Sequence, residues 1–153
     1  MKLNILATLA LLTTVSLSLP VKAQNSNQVE RLLETKQCSA CSLVGANLSG
    51  AHLVGADLRN ANLQGANLTN ANLEGADLTG ANLEGANLTG AFVSGTSLVE
   101  ANLTNVNFTA AKLYDADVTG AVMNDVKLTD ADVFNTGISI GGEAPDDAGD
   151  AKY

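Results

Sequence analysis

Residues 38–68, CSACSLVGANLSGAHLVGADLRNANLQGANL, carry a leucine at every fifth position from Leu43, and alanine stands two places before nearly every one. Counted onward in steps of five, twenty consecutive positions up to Ile138 are apolar, and fourteen of them are Leu. The positions two residues earlier run from Cys41 to Thr136, and fifteen of them are Ala. None of these forty positions is charged, which indicates that they are buried.

A period of five excludes regular secondary structure. In an α-helix, five residues advance about 500°, so the leucines would scatter around the cylinder. In a straight strand, an odd period sends successive leucines to opposite faces. Three extended residues, such as Ala-Asn-Leu, followed by a two-residue corner keep every leucine inside. Gly or Asn, which tolerate positive φ, occupies most corners from Gly45 to Gly95, so the pattern predicts a solenoid.

The motif Ala-(Asn/Asp)-Leu-x-x over residues 41–140 resembles the pentapeptide-repeat family. That resemblance implies an all-β solenoid, a right-handed quadrilateral β-helix of about five coils, each built from four repeats. Segments 20 residues apart would then stack at about 4.8 Å. In this register Val106 and Phe108 enlarge one side of a coil, which predicts a local bulge or irregular corner. Thr96 and Thr136 point inward, and we expect their hydroxyls to bond to backbone carbonyls.

The first 23 residues have the composition of a secretory signal peptide. Lys2 precedes an apolar run over residues 3–19, and small residues at Val21 and Ala23 predict cleavage after Ala23. A membrane anchor is the alternative, but the run is short for a bilayer span, which needs about 20 apolar residues. We therefore predict a signal peptide (1–23), an N-terminal helical cap (24–40), the β-helix (41–140) and an acidic flexible tail (141–153).

The open N-terminal end of a solenoid needs cover. Residues 27–36 predict a short capping α-helix that begins with a capping pair, Asn27 and Glu30. We expect an apolar stripe to lie over the first coil, formed by Val29, Leu32 and Leu33.

Cys38 and Cys41 take a Leu position and an Ala position of the repeat, so both should point inward, one corner apart. A disulfide or two packed thiols are the favoured readings over redox chemistry or metal binding. His52 is the single histidine, and a metal site needs about four ligands. We expect no metal and no cofactor. A short helix, then C-x-x-C, then the repeats resembles exported cyanobacterial and plastid-lumen members of the family, which implies the periplasm or thylakoid lumen.

Outward-facing residues that are 20 positions apart would stack into columns, and these columns are also regular in sequence. An amide ladder that ends in Lys127 is formed by Asn47, Asn67, Asn87 and Asn107. A hydroxyl ladder is formed by Thr69, Thr89, Thr109 and Thr129. We interpret both as structural. An acidic stripe, interrupted by Ser97, is formed by Asp57, Asp77 and Asp117. It is either a solvated face or a ridge that binds cations or mimics DNA.

Exposed aromatic residues are few, yet several map to one side of the predicted square. These are Phe92, Tyr114 and Phe134, with His52 and Val54 on the same side two coils lower. An apolar cluster on an acidic rod predicts a docking patch made of Phe92, Tyr114, Phe134 and His52. The alternative is that the tail folds back and covers it.

Charge and composition argue against several classes of function. The chain has 16 acidic and 8 basic residues, and removal of Lys2 and Lys22 leaves 6 basic residues and a net charge of -10. Such a surface repels nucleic acid and anionic membranes. The chain lacks a Ser-His-Asp set and a Gly-rich phosphate loop, and a filled, convex rod offers no cleft, so we do not expect an enzyme.

We predict a non-enzymatic structural or protein-interaction module in an exported compartment, with an unidentified protein partner and, after signal cleavage, no membrane contact. It would be a monomer, or an end-to-end homodimer if the tail leaves Val133, Ile138 and Ile140 uncovered. The alternative is an acidic DNA-mimicking inhibitor of a DNA-binding enzyme, as in gyrase-binding members of the family that the chain resembles. The signal peptide opposes that alternative. A third interpretation is an ion-binding surface at Asp57 and Asp77.

Overall fold

The computed structural model describes residues 21–138, with side chains from Ser26 onward. Its regular elements are helix α1 (Val21–Thr35), strand β1 (Lys112–Tyr114) and strand β2 (Asp132–Phe134). Most of the predicted signal peptide and the whole predicted tail lie outside the described residues.

The backbone pairs with itself in parallel at a spacing of 20 residues, from Gln37 with Asp57 to Asn107 with Lys127. Four five-residue repeats therefore complete one coil, as predicted. Side 1 is centred on Ser42, Asn62, Asn82, Asn102 and Val122; side 2 on Asn47, Asn67, Asn87, Asn107 and Lys127. Side 3 is centred on His52, Asn72, Phe92, Lys112 and Asp132; side 4 on Gln37, Asp57, Asp77, Ser97 and Asp117.

Hydrogen bonds along the axis hold the coils together. The N–H of Asn87 donates to the Ala66 carbonyl one coil below, at 2.9 Å, while the N–H of Leu88 donates to the Asn107 carbonyl one coil above, at 2.8 Å. The corner N–H of Gly90 also donates upward, to Thr109 at 2.9 Å. Each side has only three extended residues before the next corner, so most pairings are single bridges and the two named strands are short.

The core confirms the five-residue pattern. Every Leu-type position from Leu43 to Leu113 is at most 2% exposed. Corners have the predicted positive φ, 62° at Gly45 and 56° at Asn60. Burial weakens after Ala116, where Val118 and Val133 are half-buried and Met123 is exposed. The C-terminal coil of the described chain is thus open.

The predicted bulge at Val106 and Phe108 is wrong. Both side chains are fully buried, and the ladder continues through them without interruption, with 2.8 Å from the Phe108 nitrogen to the Lys127 carbonyl oxygen. The added volume is therefore taken up inside the core. Thr96 behaves as predicted, because its hydroxyl donates to the Leu73 carbonyl at 2.8 Å. Thr136 differs, because its hydroxyl accepts from the Ile138 N–H at 3.2 Å.

Helix α1 is longer than predicted. It begins at Val21, so Asn27 lies inside it and the predicted capping pair with Glu30 is wrong. Leu32 is fully buried in the core and Val29 packs partly against it. Leu33, predicted to share that stripe, is 42% exposed, because each residue turns the helix by about 100° and one of two adjacent leucines must face away.

Candidate protein-docking site

Side 3 brings together the residues of the predicted docking patch. The parallel pairing of β1 with β2 sets Tyr114 beside Phe134 and Lys112 beside Asp132. Phe92 lies one coil below Lys112 and pairs with it. His52 lies two coils below Phe92, with Asn72 between them. Phe92 is 43% exposed and Phe134 69% exposed. We call Phe92, Tyr114, Phe134 and His52 the aromatic patch.

Two charged residues that the sequence analysis did not assign to the aromatic patch contact its rings. The Lys112 ammonium lies 5.2 Å from the centroid of the Phe92 ring, within range of a cation–π interaction. The Tyr114 hydroxyl donates to a carboxylate oxygen of Asp132, and this bond raises the pKa of Tyr114 above its ordinary value. The 20-residue register was the signal that could have placed both charges in the patch.

An arginine side chain, that of Arg59, lies against the acidic stripe on side 4. Pairing runs from Asp57 through Asp77 and Ser97 to Asp117, as the register predicted. However, Arg59 binds Asp57 with two hydrogen bonds, of 2.8 and 2.7 Å, and lies 3.8 Å from Asp77. The bond from the Arg59 side chain holds the pKa of Asp57 below its ordinary value. Bonds from the Thr119 hydroxyl and N–H lower the pKa of Asp117.

No cluster of three or more His, Cys, Asp or Glu side chains is arranged to hold a metal ion in the part of the chain that the structure describes. At the lower end of the acidic stripe, the oxygens of Asp57 instead accept hydrogen bonds from Arg59.

The amide and hydroxyl ladders on side 2 form one network. Asn107 Nδ2 donates to Asn87 Oδ1 at 3.4 Å and to Thr89 Oγ1 at 3.1 Å. Thr89 Oγ1 in turn donates to Asn87 Oδ1 at 2.6 Å. The interpretation of both ladders as structural fits these contacts, since their donors serve neighbouring coils.

The two cysteines lie between α1 and the first coil. Cys38 and Cys41 are both buried and form a disulfide, with 1.99 Å between the sulfurs and 5.2 Å between the Cα atoms. Beside them Gln28 Oε1 accepts from the Ser42 N–H at 2.5 Å. The hydrogen bond from Ser42 thus joins α1 to the solenoid, and the disulfide links Cys38, which follows the helix, to Cys41 of the first repeat.

The family model for pentapeptide repeats matches in 8 copies, over residues 41–80, 66–105, 76–113 and 101–136. The chain belongs to the pentapeptide-repeat family. Pentapeptide-repeat proteins form right-handed quadrilateral β-helices, in agreement with the four-sided pairing seen here. No curated protein matches the sequence significantly.

Solved pentapeptide-repeat structures are similar to this chain. Rfr23 from the cyanobacterium Cyanothece 51142 is 29% identical, with 72% of this chain and 92% of that one covered and a TM-score of 0.59. A protein from the Arabidopsis thaliana thylakoid lumen is 31% identical over 63% and 61% of the two chains, with a TM-score of 0.41. QnrB1, a plasmid-mediated fluoroquinolone resistance protein, is 20% identical over 63% and 48%, with a TM-score of 0.58.

Within residues 21–138 of this pentapeptide-repeat chain, no helix has both the length and the apolar character needed to cross a bilayer.

Proposed function

We propose that this protein is a non-enzymatic interaction module that presents the aromatic patch to another protein. One observation carries the proposal. Phe92 and Phe134 are large, exposed apolar side chains on the same side of a rod whose surface is otherwise mostly polar. Aromatic side chains at the centre of a surface patch are typical anchors of protein interfaces.

The chemistry of the fold favours binding over catalysis. The inside is filled by leucine and alanine side chains, and the polar side chains of side 2 bond to each other. A catalytic site needs a concavity with polarised groups close together. Pentapeptide-repeat proteins are generally structural or interaction proteins. Activity of the purified protein on common hydrolase substrates, lost on His52→Ala, would contradict this part of the proposal.

We also propose a cellular compartment for the module and the bounds of its segments. The signal-peptide pattern of residues 1–23 supports export to the periplasm or thylakoid lumen, and a disulfide between Cys38 and Cys41 is compatible with an oxidising compartment. In the exported chain, residues 24–40 would cap about five coils over 41–140. The acidic segment 141–153 would follow.

The assembly is either a monomer or a homodimer joined through the C-terminal end. Met123, exposed, with Val133 and Ile138, half-buried, supports the dimer, and some family members form dimers. Sedimentation at several concentrations separates the two states.

Capture experiments test the docking proposal. Residues 24–153 serve as bait for extracts of periplasm and of thylakoid lumen, alongside a Phe92→Ser/Tyr114→Ser variant. Val122→Ser on side 1 is the matched control, because Val122 is also an exposed apolar residue on another side. We expect the double variant to lose a partner that the wild type and the control retain. Unchanged capture together with unchanged oligomer size would remove the proposal.

An acidic mimic of DNA is the second candidate, and the acidic stripe is what favours it. Two observations count against it: Arg59 neutralises part of the stripe, and the signal-peptide pattern predicts export. The similarity to QnrB1, at 20% identity, shows a shared fold alone. Cell fractionation distinguishes the two candidates, since retention in the cytoplasm would favour the mimic.

A further inference from the structure

The outward face of β1 and β2 is aromatic at its centre and acidic at its rim. Phe134 is 69% exposed, and its carbonyl accepts from the N–H of Asp115 at 3.0 Å. Asp132 precedes Phe134 by two residues on β2, so both side chains leave the same face of the strand, about 7 Å apart. Asp115 also accepts from the neutral amide of Asn135. Asp130, at the corner before β2, is exposed, as are Asp115 and Asp132, so three carboxylates belong to the surface around Phe134.

The negative charge of this face is not neutralised within residues 26–138. Lys112 and Asp132 stand opposite each other in the β1–β2 register, yet they do not form an ion pair. The Lys112 ammonium lies over the Phe92 ring, and Asp132 accepts from the Tyr114 hydroxyl instead. Every ion pair within residues 26–138 lies on side 4. The acidic rim of side 3 therefore has no cationic partner in that range.

The contact between Lys112 and Phe92 shows how a ring on this face takes a cation. The ammonium lies 5.2 Å from the ring centroid, and a cation within about 6 Å of a ring face is attracted by its electrons. The Phe134 ring has no such cation within residues 26–138. We propose that the upper part of the aromatic patch, around Phe134, docks an arginine-bearing segment of the partner protein. The inference rests on the proposed function, because it names the chemistry of the partner that the aromatic patch binds.

Arginine fits this face better than lysine does. A guanidinium group is planar and weakly hydrated, so it stacks on an aromatic ring while its N–H groups donate to carboxylates in the same plane. The Phe134 ring and the carboxylates of its rim offer both contacts to one side chain. An ammonium group is compact and strongly hydrated, so it gains less from the combination. A partner segment that bears carboxylates would be repelled by the same rim.

The attraction is local and differs from the general acidity of the rod. Exposed charges separated by more than about 8–10 Å are largely screened at physiological salt. Phe134 lies four coil steps above Val54, which is about 19 Å along the axis, and α1 covers the first coil at the lower end. Carboxylates of α1 should therefore contribute little to docking at Phe134, whereas those of the acidic rim should contribute directly.

An NMR titration of residues 24–153, the chain used as bait, tests the proposal with defined peptides. The probe is the peptide Gly-Ser-Arg-Leu-Arg-Ser-Gly, and the control peptide has lysine in place of both arginines and hence the same charge. We expect the arginine peptide to shift the amide signals of Asp132 and Phe134, and to bind about fivefold more tightly than the lysine peptide. Phe134→Ser should weaken its binding about tenfold, because the ring is lost. Val122→Ser, at an exposed apolar residue of side 1, should leave the affinity unchanged.

Charge removal at two places is the second arm. Asp115→Asn with Asp130→Asn removes two charges from the rim, and Asn suits the positive φ that both positions adopt, 53° and 55°. Glu30→Gln with Glu34→Gln removes two charges from exposed positions of α1 and is the matched control. We expect the first pair to weaken binding of the arginine peptide about fivefold and the second pair to have little effect.

Several results would overturn the proposal. Equal weakening by the two pairs of substitutions would assign binding to the overall charge of the rod. Equal affinity for the two peptides, or no shift at Phe134, would remove the arginine chemistry. Dimers in sedimentation that Phe134→Ser abolishes would make a second copy of this chain the occupant.

The proposed function and this inference fail separately. Loss of the captured partner in the Phe92→Ser/Tyr114→Ser variant, with no arginine peptide bound at Phe134, would keep the aromatic patch as a docking surface and overturn its preference for arginine. Binding of the peptide at Phe134, with capture that survives that variant, would remove the proposed function and support the arginine contact alone.

Discussion

Gln28 and Ser42 join helix α1 to the first coil through one hydrogen bond, with 2.5 Å between Gln28 Oε1 and the Ser42 nitrogen. In every later coil, the N–H at this position donates to a carbonyl of the coil below, as that of Asn62 does to Cys41 at 2.8 Å. Gln28 therefore replaces the missing coil for the first donor of side 1. A side-chain carbonyl from a helix ends the ladder without leaving a partly buried donor unpaired.

Gln28→Met removes the acceptor while keeping the length of the side chain. We expect a loss of about 1–2 kcal/mol in the free energy of unfolding, because the Ser42 N–H is left without a partner. Urea denaturation of the full chain measures it. Gln64→Met is the control, since Gln64 is exposed on the same side of the solenoid, and should change stability by under about 0.5 kcal/mol. Equal losses in the two variants would contradict the role of Gln28.

Leu32 and Leu33 are adjacent, yet the structure assigns them opposite environments. Leu32 is fully buried at the end of the core and Leu33 is exposed. Leu32→Ala should cost roughly 2–4 kcal/mol, because it leaves a cavity above the first coil, and Leu33→Ala should cost under about 1 kcal/mol. Thermal unfolding of both variants checks this. A larger loss from Leu33→Ala would mean that α1 packs through its other face.

Asn87 lies at the centre of the side 2 network. Its Oδ1 accepts from the Thr89 N–H at 3.1 Å and hydroxyl at 2.6 Å, and its Nδ2 donates to Thr69 Oγ1 at 3.2 Å. Asn87→Ala should destabilise the protein by about 1–2 kcal/mol, because several partly buried groups lose partners together. Asn124→Ala, at an exposed asparagine of side 1, should be nearly neutral in the same urea titration. Similar effects at both sites would show that the network adds little.

The inward positions and corners followed from the sequence because one local rule, the five-residue period, governs them all. The number of repeats per coil did not follow from that rule, because any solenoid with regular corners satisfies it. The resemblance to a known family supplied it. The start of α1 at Val21 was missed because Asn27 has the side chain of a typical helix cap, yet it lies inside the helix together with Asn25 and Ser26.

The contacts between surface side chains were the other feature that the sequence did not predict. The register placed Asp57 and Asp77 in one column, but the position of Arg59 against both depends on how a long side chain bends. The same applies to Lys112 over Phe92. Columns can be counted along a sequence, whereas rotamers are selected by neighbours that only the folded chain brings together.

Asp57 should titrate below an ordinary carboxyl group because of Arg59. A lowered pKa in the folded state means that this carboxylate stabilises the fold above the ordinary Asp pKa of about 3.9, and that its contribution is lost as the pH falls through the lowered value. Arg59→Met should raise the pKa of Asp57 and move acid unfolding to a higher pH. Carbon-13 NMR of the carboxyl groups measures the first effect and circular dichroism the second. Arg31→Met, at an exposed arginine of α1, should leave both unchanged.

Tyr114 should titrate above its ordinary pKa of 10.0, because its hydroxyl donates to Asp132 and the carboxylate disfavours the phenolate. The bond stabilises the fold below that ordinary value, and its contribution is lost as the pH rises through the raised one. Asp132→Ala should therefore lower the pKa of Tyr114, and its stability should approach that of the parent at high pH. Ultraviolet absorbance in a Tyr153→Phe background reads Tyr114 alone, since the chain has 2 tyrosines. Asp115→Ala is the matched control, because Asp115 accepts from Asn135 at 2.5 Å rather than from Tyr114. An equal shift of the Tyr114 pKa in both variants would assign the effect to the overall charge of side 3. The hydrogen bond to Asp132 would then not be what orients the Tyr114 ring in the aromatic patch.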